Sequence, residues 1–322
     1  MGSGNGRKAI IFGAGGQDGR YLSAYLAERG YAVVGAGERE PAGTRDGVRH
    51  AKCDIADAGR VSSLIASENA EEVYNLAVLL ARNGAKEEEE RANEVNVRGP
   101  ENVLDAIARE TPSARFFQAS TGYIFKPGPG KKSEESEFGA ADFHSRTKLE
   151  AHMKVVNARK RGLFAVNGIL FNHESPIGRP EFLLKKVASA AALLAAKRES
   201  APLRLGNLAA VRDWGFARDY VEAMHLMLSA AKPQDFVIAT GVGHTVRDAC
   251  ELAYGAVGEN YAAHVEVDPR LFRAGDADYL VGNPEKIGKE LGWKAKTGFA
   301  ELVELMVRAR LREIRSGGGA PG

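Results

Sequence analysis

The feature that most constrains this chain is its glycine-punctuated start. Lys8 to Phe12 is a short apolar run, GAGGQDG follows at once, and Tyr21 to Glu28 then carries helical spacing. Gly13, Gly16 and Gly19 form a G-x-x-G-x-x-G turn between a strand and a helix. Backbone without side chains lets a pyrophosphate approach closely, and the helix N-terminus supplies N–H donors and a positive dipole end. A glycine pattern alone marks only a tight turn. Its place after the first strand of an alternating series makes it a nucleotide-binding signal.

The alternation continues down the chain. Tyr31 to Ala36 is a second apolar run, and a third ends in AKCDI. Asp57 is placed to N-cap a helix in which Val61, Leu64 and Ile65 share one face. EEVYNLA, a helix ending near Glu110, the run Ala114 to Ala119, a helix around Ser145 to Lys160 and the run Leu163 to Phe171 follow. Strands alternating with helices of about 10–15 residues predict an α/β fold, a doubly wound parallel sheet of Rossmann type. Beyond Phe171 the alternation breaks up, and Pro176, Pro180, Pro202, Pro233, Pro269 and Pro284 punctuate short elements. That predicts a smaller mixed C-terminal lobe, closed by an amphipathic helix through Phe299, Leu302, Val303, Leu305, Met306 and Ala309. The expected division is 1–172 for nucleotide binding, 173–315 for a second lobe with some chain crossing back, and 316–322 as a loose tail.

Composition narrows the function classes. Lys+Arg 44 against Asp+Glu 42 gives a net charge of +2, without the basic footprint of a nucleic-acid or anionic-lipid binder. The longest mostly apolar run, Val187 to Ala196, is about half a membrane span. Cys53 and Cys250 lie far apart, which argues for a reducing, cytoplasmic setting. MGSGNGRK lacks an apolar stretch and reads as an expression leader, not a signal peptide. Glu87 to Glu90 read as a solvated helical face. No metal site is expected.

The end of the second strand should select the dinucleotide: a carboxylate there bonds a ribose 2′-OH, whereas an arginine accommodates a 2′-phosphate. Glu38 and Arg39 point opposite ways. Arg39 favours NADP, with NAD as the alternative. Asp54, after the third run, is placed either to meet the adenine amino group or to cap a helix.

The segments IIFGAGGQDGRYLSAYL, VYNLA, NGILFNHESP, LGNL, RDWGFARDY, DFVIATG and VDPRLFR are similar to those of GDP-mannose 4,6-dehydratases, in the same order from about Ala9 to Met306. The resemblance implies an extended short-chain dehydrogenase fold with NADP in the first lobe and a GDP-sugar against the second. It implies cofactor contacts at Gly13, Gly16, Gln17, Asp18, Arg39, Asp54, Ile55, Leu76, Ala77, Lys148 and His173. His173 alone reads equally well as a structural histidine. On the sugar-nucleotide side it implies Asn172 near the pyrophosphate or ribose, and Lys186 and Asn207 near the guanine. Arg212 and Arg273 would grip the diphosphate, because a guanidinium stays charged and pairs two oxygens at once. A homodimer or homotetramer is expected.

In that family, Thr orients the sugar hydroxyl and Tyr of a Y-x-x-x-K unit takes its proton while hydride leaves carbon 4. Lys binds the nicotinamide ribose and lowers the Tyr pKa; Glu then strips carbon 5, and water leaves carbon 6. Here the strand end reads Ser120, Thr121, Gly122, Tyr123, Ile124, Phe125 where the family has S-T-S-E-L-F. The helix reads His144, Ser145, Arg146, Thr147, Lys148 where the family has Y-A-V-A-K. After VYNLA, Val78, Leu79, Leu80 and Ala81 replace a polar Q-S-H stretch. Thr121 and Lys148 persist, while Tyr123 stands at the glutamate position and His144 at the tyrosine position. A phenol of reference pKa about 10 is a poor substitute for a carboxylate base. A neutral imidazole can take a hydroxyl proton, and Lys148 one turn away would keep it neutral. The expectation is an enzyme doing redox chemistry at carbon 4 of a GDP-hexose, with Tyr123 and His144 jointly replacing the usual tyrosine and little water loss. The alternatives are a silent NADP and GDP-sugar binding protein, or a GDP-4-keto-sugar reductase or epimerase.

Overall fold

In this computed structural model the described residues are 6–38, 42–45, 47–81, 85–197, 201–272 and 278–317. The alternating first half builds β1 (Lys8–Phe12), α1 (Gln17–Ala27), β2 (Ala32–Gly37), β3 (Gly43–Arg45), β4 (Val48–Lys52) and α2 (Ala58–Glu68). It continues through β5 (Glu72–Asn75), α3 (Lys86–Asn93), α4 (Gly99–Glu110), β6 (Arg115–Thr121), α5 (Phe143–Lys160) and β7 (Ala165–Leu170). A short π-helical turn, Glu94–Arg98, joins α3 to α4. The sheet has the order β12-β7-β6-β5-β1-β2-β4-β3, where β12 is Phe236–Ile238, and all its pairings are parallel except β3 with β4.

Both faces of this sheet are covered, which is what buried parallel strands require. Along β1 the side chains alternate: Ala9 and Ile11 join the cluster under α1, while Ile10 and Phe12 join the one on the opposite face. The first cluster includes Leu22 and Leu26 of α1 together with Tyr220, Met224 and Met227 of α7 (Ala217–Ser229). The second is roofed by Val61 and Ile65 of α2, Val103 and Ile107 of α4, and Val155 and Ala158 of α5. The anticipated cap holds, since the Asp57 carboxylate accepts from Arg60 N at 3.0 Å.

The second half is more mixed. Its short strands are β8 (His173–Glu174), β9 (Leu203–Leu205), β10 (Val211–Arg212), β11 (Gly215–Phe216), β13 (His244–Thr245), β14 (Val265–Val267) and β15 (Tyr279–Leu280). α6 (Leu183–Ala195), α8 (Val246–Gly255) and α10 (Phe299–Arg315) enclose a core of their own around Val187, Ala249, Trp214, Leu302 and Met306. The chain crosses back extensively: β12 and α7 complete the large sheet, and Ile287 of α9 (Glu285–Leu291) packs into its first cluster. Among the described residues no helix is long and apolar enough to cross a membrane.

Candidate functional site

The order of the sheet reverses between β5, β1 and β2, so a crevice opens at the C-terminal end of β1, where ligands of open α/β sheets bind. The glycine turn lies at that crevice. Gly13 has φ +83°, and a side chain there would come within 2.8 Å of Ala77 N. A Cβ on Gly19 would lie 2.4 Å from Gly13 O, so that glycine is what lets α1 pack directly on the turn. Gly16 is the N-cap of α1 and is exposed, and no side chain caps the helix. A bare glycine cradle ending on an uncapped helix N-terminus fits a dinucleotide pyrophosphate. Leu76 and Ala77 follow β5 beside the turn and are half-buried; Ile55 is buried beyond β4.

Gln17 and Asp18, the first residues of α1, reach across to the segment after β7. Gln17 Nε2 donates to His173 O at 3.2 Å, and its Oε1 accepts from Ser175 Oγ at 2.7 Å. His173 Nε2 meets Asp18 Oδ2 at 2.9 Å, Nδ1 meets Phe171 O at 2.7 Å, and the ring stacks on Tyr220. Both ring nitrogens thus face acceptors, which suits an imidazolium. Burial pulls the His173 pKa down, but the Asp18 charge and hydrogen bond outweigh it and hold it above its ordinary value. Burial likewise pushes Asp18 up, yet the paired His173 leaves it net lowered.

Beyond β4, Asp54 caps no helix. Its Oδ1 accepts from Ala56 N at 3.0 Å and its Oδ2 from Arg91 Nη2 at 2.6 Å. The helix-cap reading belongs to Asp57 alone. Arg39 and Arg273 lie outside the described residues.

α5 carries two of the candidate catalytic residues, His144 and Lys148. Its start is a capping box, Asp142 accepting from Ser145 N while Ser145 Oγ accepts from Asp142 N. His144, Lys148 and His152 recur every four residues and so share one face. His152 meets Ser120 Oγ at 3.3 Å and Asp235 at 3.6 Å, tying that face to β6. Lys148 is buried and donates to Ala119 O; burial lowers its pKa to about 8, with the Asp18 charge opposing. His144 is held at about 4 by burial and then by Lys148, against the pull of Asp142, so its imidazole is neutral at pH 7. Its Nδ1 is buried and finds no hydrogen-bond partner. Thr121 Oγ1 accepts from Tyr123 N, which opens a single 3-10 turn, Gly122–Ile124, placing half-buried Tyr123 beside Ile124 and Phe125.

The sugar-nucleotide candidates spread over the second lobe. Asn172 Oδ1 is a second buried acceptor without a partner. Arg212 is buried on β10, between His244 of β13 and Leu280 of β15, and its Nη1 donates to Val211 O. Asn207 turns its own loop, accepting from Ala209 N and donating to Asp278, while Lys186 is exposed on α6.

Sequence reasoning passed over three residues that shape this region. Asn96, in the π-helical turn, donates to Leu79 O and accepts from Leu79 N, both at 2.9 Å, which pins the apolar loop Val78 to Ala81. A π-turn aims side chains out of α-helical phase, so no heptad reading would single it out. Asp213 accepts from Thr240 N and Oγ1, Gly241 N and Gly282 N, joining three loops behind Arg212. Glu174 receives the Leu184 and Lys185 amides at the start of α6, and burial pushes its pKa up to about 7.

Comparison with known proteins agrees with this fold. The family described as GDP-mannose 4,6 dehydratase matches residues 10–306. The chain belongs to that family. GDP-mannose 4,6 dehydratase 2 of Arabidopsis thaliana is 36% identical over 93% of this chain and 85% of its own length. Two solved structures share the fold: dTDP-glucose 4,6-dehydratase of Bacillus anthracis in complex with NAD, and RMD of Pseudomonas aeruginosa complexed with NADPH. Their TM-scores are 0.82 and 0.81 at 18% and 19% identity, over 96% and 95% of this chain and 98% and 99% of theirs. The fold is thus that of the extended short-chain dehydrogenases, and the two solved structures hold NAD and NADPH respectively. Among the described residues no group of three or more acids, histidines and cysteines is placed to hold a metal ion.

Proposed function

We propose that this member is an NADP-dependent enzyme acting at carbon 4 of a GDP-linked hexose, without efficient dehydration. The observation that carries the reading is the buried, partnerless Nδ1 of a neutral imidazole one helical turn from buried Lys148. A buried polar atom without a partner costs about 1–3 kcal/mol, and a substrate hydroxyl would satisfy it. The nicotinamide, when bound, supplies hydride acceptance and return. Thr121 and Tyr123 orient the sugar hydroxyl, and His144 takes its proton as a base of low intrinsic pKa. Lys148, charged below about 8, holds the ribose and keeps His144 neutral. Tyr123 is a phenol where a dehydratase needs a carboxylate, so removal of the carbon 5 proton has no efficient base.

In this reading residues 1–172 hold most of the cofactor, through Gly13, Gly16, Gln17, Asp18, Ile55, Leu76 and Ala77 with Arg39 on the 2′-phosphate, and His173 adds to them from just beyond the boundary. Residues 173–315 hold most of GDP, through Lys186, Asn207, Arg212 and Arg273, with Asn172 at their edge. The enzyme is cytoplasmic and works as a homodimer or homotetramer. The test is incubation of the protein and cofactor with GDP-mannose, followed by nicotinamide absorbance and product mass. Hydride exchange at carbon 4 that Tyr123→Phe removes, with no mass loss of water, is expected. Robust formation of the 4-keto-6-deoxy product by the unaltered protein would refute the reading. Complete absence of turnover and exchange would favour a silent binding protein.

A further inference from the structure

The end of β2 offers a carboxylate, Glu38, where a 2′-phosphate cofactor calls for positive charge. The structure brings an arginine to that place from a distant helix. Arg91, at the end of the acidic run on α3, donates from Nη2 to Asp54 Oδ2 at 2.6 Å and from Nη1 to Glu94 Oε2 at 2.9 Å. Its Nη2 also lies 3.5 Å from Glu38 Oε2, so one guanidinium spans the C-terminal ends of β2 and β4. The three contacts are unequal. Asp54 and Glu94 hold the guanidinium at hydrogen-bond distance, whereas Glu38 is the loosest partner and its side chain is 60% exposed. Three carboxylates around one cation are two more than its charge requires. Glu94 is nearly as exposed as Glu38, so distance decides: the one that can leave at least cost is Glu38, which lies farthest from the guanidinium and is exposed enough for water to replace what it gives up.

We propose that Arg91 is a specificity-determining contact to the adenosine 2′-phosphate, with Glu38 as the placeholder that the phosphate displaces. Asp54 and Glu94 act as positioning residues that hold the guanidinium over the ribose. A phosphate offers three strong acceptor oxygens and more charge than Glu38, so the exchange runs toward it; a ribose 2′-OH offers neither and leaves Glu38 in place. This inference rests on the NADP reading above and sharpens it.

Direct titration of the purified full chain with NADP+ and with NAD+, read by calorimetry, tests it. Arg91→Gln should weaken NADP+ by about tenfold or more, the scale of one charge-assisted contact, and leave NAD+ within about twofold. Glu38→Gln should tighten NADP+ and not NAD+. Retained NAD+ binding shows that the variants are folded. If the unaltered protein prefers NADP+ and Arg91→Gln weakens neither or both cofactors equally, the assignment of Arg91 is overturned and the NADP reading survives. If the unaltered protein itself prefers NAD+ by tenfold, both fall.

Discussion

Replacing Asp18 by Asn tests the pair that joins the glycine turn to the segment after β7. The substitution keeps size and removes charge, leaving burial opposed only by the Phe171 carbonyl and the Glu174 charge. His173 is then expected below its ordinary 6.5, because burial is the largest single influence on it and the two strongest opposing ones, the Asp18 charge and hydrogen bond, are gone. The sign follows from linkage. In the unaltered protein, Asp18 is lowered, so its stabilisation is present above 3.8 and is lost as pH falls through the depressed value. His173 is raised, so its stabilisation is full below 6.5 and is lost as pH rises through the raised value. The pair therefore contributes most between these limits. In the variant the unfolded chain binds a proton below 6.5 that the folded chain resists, which costs up to 1.36 kcal/mol for each pH unit. At pH 8 the neutral imidazole can accept from the new amide, and the loss should be about 1 kcal/mol. By pH 5 the loss should be larger by about 2 kcal/mol or more. Urea denaturation of both proteins at pH 5, 6, 7 and 8 measures this, and an NMR titration of His173 gives the shift directly. A destabilisation that is flat with pH, or that grows toward pH 8, would refute the argument.

Two further outcomes are expected. Asn96→Ala should cost about 2 kcal/mol by leaving Leu79 N and O unpaired, and should speed hydrogen exchange at the Leu79 amide before it affects the sheet. GDP should protect the fold against heat more than UDP or dTDP does, and Arg212→Ala should remove on the order of 2–5 kcal/mol of that protection. Equal protection by the three nucleotides would overturn the guanine assignment.

Much of the first half was legible because its physics is local. The glycine turn, the Asp57 cap and the apolar runs of β1, β2, β6 and β7 each announce themselves within about ten residues, and parallel strands buried on both faces are mostly apolar, although Gln118 of β6 and Asn167 of β7 are buried polar residues. α5 was expected around Ser145 to Lys160 and runs Phe143–Lys160, although its buried face carries Ser145, Thr147, Lys148 and His152 and so lacks a clean apolar stripe. The return of β12 and α7 to the large sheet was harder to place, because a three-residue strand carries almost no periodicity.

What the sequence determined by itself was the fold class, the cradle and which residue types stand at the candidate reacting positions. What only the tertiary structure decided was partnership. Asp54 and Arg91 are 37 residues apart, His173 and Asp18 are 155 apart, and no local pattern distinguishes a carboxylate that faces a ligand from one already paired. The ionisation of His144 is of the same kind: its low pKa comes chiefly from burial, which a residue acquires only when the rest of the chain closes around it.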